Sequence, residues 1–224
     1  MGCVCAAWLL GTAGAAEPVW NIRDIPIQRV SVVAHRGAGF LAPENTIEAP
    51  ELSWGMGCIP EVDVRTTKDG HVMMFHDKDF TRILPNAPDA LRKRRLEDLT
   101  YEEARQLDIG AFRGPQFAGQ RIVSLAEIVA ALERDSKRSV YLDVKNVDFA
   151  VMAKATEGVH DQVVLATGVE ADLGRWKAVA PRSDAFLWVG TWGDTNDTQV
   201  EKRFAALRES NFAHIDRLQV HCHF

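Results

Sequence analysis

The chain has 224 residues, 46% of them hydrophobic and 25% charged, so it is long enough to bury a large core. Its formal net charge of −5 at pH 7 gives no general reason to expect nucleic-acid binding, and we expect no nucleic-acid partner. A small anionic substrate stays compatible with this charge, because local basic side chains and a metal ion would override the weak negative field.

The first 16 residues have features of a secretory signal peptide. They carry no charged side chain, they contain a short apolar run from Val4 to Leu10, and they end in the small residues Gly14-Ala15-Ala16. The run is too short to span a bilayer, so we expect no stable membrane anchor. We expect residues 1–16 to direct export to the periplasm or beyond, and residues 17–224 to form one domain. The usual positively charged start is missing, so a cytoplasmic location stays an alternative.

Beyond this segment, short β-branched runs alternate with helical patterns. Val30–Ala34 predicts a buried strand, and Asn45 with Glu48 three residues later predicts the N-cap of a helix. Glu61–Thr66 and Val72–Phe75 predict two strands joined at the Asp69-Gly70 turn. The second half predicts these helices and strands in turn: Thr100–Leu107, Ser124–Leu132, Ser139–Val144, Phe149–Gly158, Gln162–Ala166, Ala171–Val179, Ala185–Val189, Gln199–Ser210 and Arg217–His221.

Strands separated by single helices imply right-handed crossovers and a parallel sheet. About seven strands in one series favour a (β/α)8 barrel, the TIM barrel, which in this chain would lack its last strand and helix. Reactive groups of such barrels lie at the C-terminal ends of the strands.

Acidic and basic side chains occur at those strand ends. Glu61 and Asp63 are two residues apart, so they point to the same face of a strand, where they would bind a hard divalent cation or be two solvated acids. Asp143 and Lys145 repeat this spacing, which predicts either a third metal ligand beside a phosphate-binding cation or a structural ion pair.

Two histidines also end predicted strands. His35 and His76 would act as a general acid and a general base, and Asp77 would orient one imidazole or cap the next turn. Together with Arg36 and Lys145, these residues indicate phosphoryl chemistry. The chain has no nucleotide-phosphate loop, which argues against a kinase or an NTPase.

Several segments taken together resemble the glycerophosphodiester phosphodiesterase family. They are Ala34-His35-Arg36-Gly37 with Pro43-Glu44-Asn45-Thr46, Glu61-Val62-Asp63-Val64, Asp69-Gly70 with His76-Asp77, Leu107-Asp108-Ile109-Gly110 through Ser124-Leu125-Ala126-Glu127, and Leu142-Asp143-Val144-Lys145. The resemblance implies a (β/α)8 barrel that hydrolyses a small-molecule glycerophosphodiester to glycerol 3-phosphate and an alcohol with one divalent cation, Mg²⁺ or Ca²⁺.

The resemblance also implies a role for each matching residue. The acid/base pair would be His35 and His76; the metal ligands Glu61, Asp63 and Asp143; the phosphate contacts Arg36 and Lys145; and the supporting acids Glu44 and Asp77. Residues 83–120 align with a small insertion over the barrel mouth, so the basic run at 92–95 would be a solvated surface.

One departure from the family leaves alternatives open. Asp143 stands where the family usually has a glutamate, and an aspartate followed by a lysine two residues later also resembles sphingomyelinase-D-like phospholipases. The alternatives are therefore a phospholipase that acts on a lipid headgroup and a barrel that binds phosphate without turnover.

Overall fold

The computed structural model describes residue 26, residues 30–190 and residues 197–220. The strands β1 to β7 of this part of the chain are Val33–Ala34, Ile59–Thr66, Val72–Met74, Val140–Asn146, Val163–Thr167, Asp184–Val189 and Arg217–Val220. The helices α1 to α7 are Glu48–Gly55, Asp89–Arg92, Tyr101–Arg105, Leu125–Leu132, Phe149–Ala155, Glu170–Val179 and Asp197–Glu209. Short 3₁₀ turns lie at Leu96–Asp98, Ala111–Arg113, Pro115–Phe117 and Glu157–Gln162.

The strands form one curled, mainly parallel sheet. Its order over the described residues is β1-β2-β4-β5-β6-β7, with β3 paired antiparallel to β2 outside this path. Right-handed crossovers through single helices explain this order, because each helix returns the chain to the same end of the sheet. The α/β fold with a parallel sheet is confirmed, as is the hairpin at Asp69-Gly70, where Gly70 adopts φ +88°.

Two local predictions were wrong. Only the last two residues of Val30–Ala34 form a strand, and Val30, Val32 and Val33 are 49%, 55% and 44% exposed, because β1 has a described neighbour on one side only. Asn45 does not cap α1, which begins at Glu48. Asn45 instead adopts φ +66°, and its carbonyl accepts a hydrogen bond from the Val123 N–H at 2.9 Å.

The two faces of the sheet bury different side chains. Val62, Val64 and Leu142 face the helices and belong to the main apolar core. Tyr141 faces the other way, into the concave side, where it packs with Phe186, Trp188, Val164 and Ala166. Glu61, Asp63 and Asp143 alternate with the core residues, so period-two geometry places them on this concave face.

Residues 83–120 pack around a second apolar cluster that joins them to β3 and the loop after it. Its buried members include Phe75, Phe80, Ile83, Leu96 and Ile109. The basic run at 92–95 forms ion pairs with acids of the same segment, such as Arg92 with Asp89 at 2.5 Å and Arg95 with Glu97 at 3.3 Å. This run therefore does not contribute to the concave face.

None of the helices in the described part of the chain combines the length and the apolar character needed to cross a bilayer. The predicted export segment, residues 1–16, lies outside the described residues.

Candidate active site

Three buried acids meet on the concave face. The parallel pairing of β2 with β4 sets Asp63 directly opposite Asp143, and Glu61 lies two residues before Asp63 on the same face. One carboxylate oxygen from each residue lies within 4.8 Å of the others. The sheet register therefore joins acids that are 80 residues apart in sequence, from 63 to 143.

Two of these acids, Glu61 and Asp143, resist ionisation without a counter-ion. Burial raises the pKa of Glu61, and the negative charge of Asp63 raises it further. Burial also raises the pKa of Asp143, which the Lys145 ammonium partly offsets. Oxygens bound to one hard cation lie at most about 5 Å apart, twice a metal–oxygen distance of ~2.0–2.6 Å. The spacing and chemistry of the three acids therefore fit one divalent cation.

Lys145 supplies the positive charge nearest to the three acids among the described side chains that contact them. Its Nζ lies 2.5 Å from Asp143 Oδ2 and 3.1 Å from Asp63 Oδ1. Burial lowers the pKa of Lys145, but the charges of Asp143 and Asp63 outweigh burial and raise it overall. The sequence left two alternatives for Asp143 and Lys145, a metal ligand beside a cation or a structural ion pair. The structure contains the ion pair, and Asp143 also lies in the cluster of three acids.

The loop after β1 reaches over the acids through backbone donors. The Arg36 N–H donates to Glu61 Oε2 at 2.7 Å, and the Gly37 N–H donates to the Glu61 carbonyl at 2.7 Å. Arg36 adopts φ +53° and Gly37 φ +78°. A Cβ at Gly37 would lie 2.7 Å from the Ala49 Cβ, so glycine permits this close packing of the loop on α1.

The hairpin brings His76 to the same place. The Phe75 N–H donates to the Asp63 carbonyl at 2.9 Å, so His76 follows directly beside the acids. Its Nδ1 lies 2.7 Å from Asp77 Oδ1, and its Nε2 lies 3.0 Å from an Arg36 guanidinium nitrogen. Arginine can only donate, so Nε2 must accept and Nδ1 carries the proton.

His35 ends β1 on the same side of the sheet. Burial lowers its pKa, and the positive charge of Arg36 lowers it further, while the charge of Asp63 acts in the opposite direction. The charge of His76 also lowers the pKa of His35, so this imidazole lies within electrostatic reach of His76 and Asp63. The three acids and His76 thus lie together, and His35 lies within electrostatic reach of them.

The two predicted supporting acids, Glu44 and Asp77, bind different side chains of the site. Glu44 accepts from Arg36 at 3.2 Å through both of its oxygens, and Asp77 holds the His76 ring rather than the next turn. Although burial opposes ionisation, hydrogen bonds from His76 and Arg82 lower the pKa of Asp77 to about 2.

Sequence reasoning missed Arg82 and Arg65. Arg82 contacts both Glu44 and Asp77, and the Arg65 guanidinium donates to the His76 carbonyl at 3.1 Å and pairs with Glu97 at 2.8 Å. The position of Arg65, two residues after Asp63 on one strand face, was a usable signal for it; nothing in the local pattern distinguished Arg82.

A cavity of 450 Å³ opens beside these groups. Its lining side chains are Arg65, His76, Asp77, Lys78, Asp79, Thr81, Arg82 and Lys145. Four of the eight are cationic, so the cavity suits a phosphorylated molecule of modest size.

The chain is similar to characterised phosphodiesterases over part of their length. It is 39% identical over 98 residues to the glycerophosphodiester phosphodiesterase of Caldanaerobacter subterraneus subsp. tengcongensis, covering 43% of this chain and 38% of that protein. It is 32% identical over 136 residues to human glycerophosphodiester phosphodiesterase 1, covering 58% of this chain and 39% of that protein. The matches thus span about two fifths of the length of these relatives.

Solved structures share the fold. A glycerophosphodiester phosphodiesterase from Agrobacterium tumefaciens superposes with a TM-score of 0.62 at 21% identity, covering 85% of this chain and 95% of that one. A phosphodiesterase from Oleispira antarctica, solved in complex with the product sn-glycerol-3-phosphate, superposes with a TM-score of 0.60 at 20% identity, covering 85% and 92%.

A model of the glycerophosphoryl diester phosphodiesterase family matches residues 35–183, which is more than half of the chain. This match includes all of the acids, imidazoles and cations that meet at the mouth of the sheet. The chain therefore belongs to the glycerophosphoryl diester phosphodiesterase family.

Proposed function

We propose that this protein hydrolyses glycerophosphodiesters to glycerol 3-phosphate and an alcohol. The observation that carries the proposal is a cluster of three buried acids paired with Lys145, beside a cavity that Lys145 and the Arg36-bound His76 both border. Family membership supports it, and so does the fold shared with a phosphodiesterase that was solved with sn-glycerol-3-phosphate.

Glu61, Asp63 and Asp143 would hold one divalent cation, Mg²⁺ or Ca²⁺. Such a cation, when bound, withdraws charge from a phosphoryl oxygen. Arg36 and Lys145 border the same acids and would bind the remaining phosphate oxygens, because both are cationic donors.

The two histidines would move protons. His76 is neutral, with Nδ1–H held by Asp77, so its Nε2 lone pair would accept the proton of the nucleophile once the substrate displaces Arg36. The nucleophile is water or the neighbouring glycerol hydroxyl, and the second case gives a cyclic phosphate that water then opens. His35 would be the second member of the acid/base pair, which exchanges a proton with the oxygen of the leaving alcohol.

The test is turnover of glycerophosphocholine with Mg²⁺ or Ca²⁺, with and without a chelator. We expect glycerol 3-phosphate to appear when the cation is present without the chelator, and not when the chelator has bound the cation. His35→Ala and His76→Ala should each lower kcat by about 10²–10⁴-fold, the usual contribution of general acid–base catalysis. His71→Ala is the control, because His71 stacks on Tyr101 away from the cavity. Binding of the substrate without product release would establish the non-catalytic barrel instead.

One observation favours a lipid substrate as the second candidate. Phe40 and Leu41, in the loop between β1 and α1, are 88% and 64% exposed at the end of the sheet that carries the acids. An apolar pair beside the mouth would contact acyl chains. If the substrate is a lysophospholipid, Phe40→Ser with Leu41→Ser should lower kcat/KM for it about tenfold and leave glycerophosphocholine turnover unchanged. A kcat/KM for the lysophospholipid that is the same in the variant and the wild type would exclude this candidate.

A further inference from the structure

Five side chains at the mouth form a closed ring of hydrogen bonds. His76 contacts Asp77 through Nδ1 and Arg36 through Nε2, and Arg36 donates to Glu44. Arg82 completes the ring, because it donates to Asp77 at 2.8 Å and to Glu44 at 2.6 Å. The ring joins the loop before α1 to the segment after β3, which are 38 residues apart at Glu44 and Arg82.

Arg82 is held in this ring by nearly all of its donors. Its Nε and one terminal nitrogen donate to Asp77, and its two terminal nitrogens donate to Glu44. These bonds use four of the five N–H groups of the guanidinium. The guanidinium carbon also lies 5.7 Å from the centre of the Phe112 ring, within the range of a cation–π contact. Little donor capacity is left for a phosphate, although Arg82 borders the cavity.

The charges of the ring cancel. Arg36 and Arg82 carry two positive charges, Glu44 and Asp77 carry two negative charges, and His76 is neutral in the tautomer that the contacts require. Loss of Arg82 would leave one negative charge uncompensated beside His76. It would also free the Asp77 carboxylate, which orients the imidazole of His76, and the Glu44 carboxylate, which orients the guanidinium of Arg36.

We propose that Arg82 is a positioning residue, which fixes the imidazole of His76 and the guanidinium of Arg36 by clamping Asp77 and Glu44 in one plane. This inference rests on the proposed hydrolysis, since it concerns the orientation of the same two groups. A planar fork is required, because the ammonium of a lysine is a single point that cannot bridge two carboxylates in fixed directions.

Other charged groups also face His76. Arg65 donates to its carbonyl, His35 and Asp63 lie on the neighbouring strand ends, and Lys78 and Lys145 line the same cavity. Arg82 takes no part in any of these contacts, so we expect them to stay in place when Arg82 is replaced. Metal binding should also be unaffected, because Arg82 does not contact Glu61, Asp63 or Asp143 in the described structure.

The experiment compares Arg82→Gln, Arg82→Lys and the control Arg175→Gln. Arg175 pairs with Asp172 on α6, away from the mouth. We expect Arg82→Gln to lower kcat on glycerophosphocholine by about 10–100-fold with KM within about threefold, the loss that misplaced catalytic groups produce. We expect Arg82→Lys to recover less than about a third of wild-type kcat, and the control to stay within about twofold.

The pH profile and one proton signal separate positioning from a general loss of stability. Burial raises the pKa of Glu44, and the hydrogen bonds and charges of Arg82 and Arg36 together outweigh burial and lower it. Loss of Arg82 should therefore raise this pKa, and the acid limb of kcat should move to higher pH in Arg82→Gln. The low-field Nδ1–H resonance of His76, identified by its absence in His76→Ala, should be present in the wild type and in Arg175→Gln. It should be lost in Arg82→Gln.

Each result decides the question. Wild-type kcat in Arg82→Gln, full recovery in Arg82→Lys, or an unchanged Nδ1–H resonance in a folded Arg82→Gln protein would overturn the inference. If the wild type releases no glycerol 3-phosphate, the proposed hydrolysis fails, and the resonance still tests the role of Arg82 without turnover.

Discussion

Lys145 lies on β4 with its Nζ 3.1 Å from the Oδ1 of Asp63 on β2, and the same Nζ lies 2.5 Å from Asp143. The ammonium therefore pairs with two of the three acids that would hold a divalent cation. One positive charge cannot neutralise three carboxylates. Burial raises the pKa of Glu61 and the pKa of Asp143, and Lys145 offsets this effect only in part. Lys145 and a bound cation would repel each other while sharing these ligands.

Removal of the ammonium should strengthen metal binding. We expect Lys145→Gln to bind Mg²⁺ or Ca²⁺ about tenfold more tightly by calorimetry, a gain of about 1.4 kcal/mol, because a competing charge is gone. Its turnover should fall, since a phosphate contact is lost. Lys177→Gln is the matched control, because Lys177 pairs with Asp216 at 2.5 Å outside the cavity lining. Weaker metal binding by Lys145→Gln would contradict the competition.

The metal-free protein should lose stability as the pH rises above the ordinary carboxyl range. Burial raises the folded-state pKa of Glu61, so the folded state holds a proton that the unfolded chain has released. Glu61→Gln removes this penalty. We expect its metal-free Tm at about pH 8 to rise by about 2–4 °C, which corresponds to roughly 1 kcal/mol for a domain of this size.

Glu102→Gln serves as the control for that experiment, because Glu102 is exposed on α3. The difference between Glu61→Gln and the wild type should vanish at about pH 4, where Glu61 is protonated in both states. A wild-type Tm that does not fall as the pH rises, in the presence of a chelator, would show that other groups of the protein already compensate the charges of the buried acids.

Loss of the carboxylate charge at Asp77 should impair catalysis more than folding. In Asp77→Asn the charge is lost, and the amide nitrogen that replaces one oxygen cannot accept from Arg82 Nε or, if it turns to the imidazole, from His76 Nδ1–H. We expect kcat to fall by about 10²-fold or more, because the imidazole would lose its fixed tautomer and orientation. Asp172→Asn, which changes an acid that pairs with Arg175 on α6 away from the mouth, should keep kcat within about twofold. Similar rates for both variants would contradict the assigned role of Asp77.

Replacement of Gly37 should reveal the cost of packing the Arg36 loop on α1. Gly37→Ala combines φ +78° with a Cβ 2.7 Å from Ala49, and we expect it to lower the free energy of unfolding by about 2–4 kcal/mol. Gly57→Ala separates the two effects, because Gly57 has φ +74° with open space around it, and should cost about 1 kcal/mol. Urea unfolding measures both. Equal losses would show that close packing contributes nothing.

Local patterns were sufficient for most elements of this fold. The strand from Ile59 to Thr66, the hairpin at Gly70 and the helix after Ser124 follow from β-branched alternation, turn chemistry and a capping box, which act over a few residues. The prediction for Val30–Ala34 was wrong because burial of that run depends on a neighbouring strand and not on its own residues.

The residue types and their spacing alone indicated the chemistry proposed for this protein. These are acids two residues apart on a strand, histidines at strand ends and a lysine two residues after Asp143. The tertiary structure alone decided their relationships. Asp63 faces Asp143 because two strands pair in one register, and Arg82 meets Glu44 because a hairpin returns the chain to the loop after β1. Sheet register and loop closure depend on the packing of the whole domain, so no local pattern carries them.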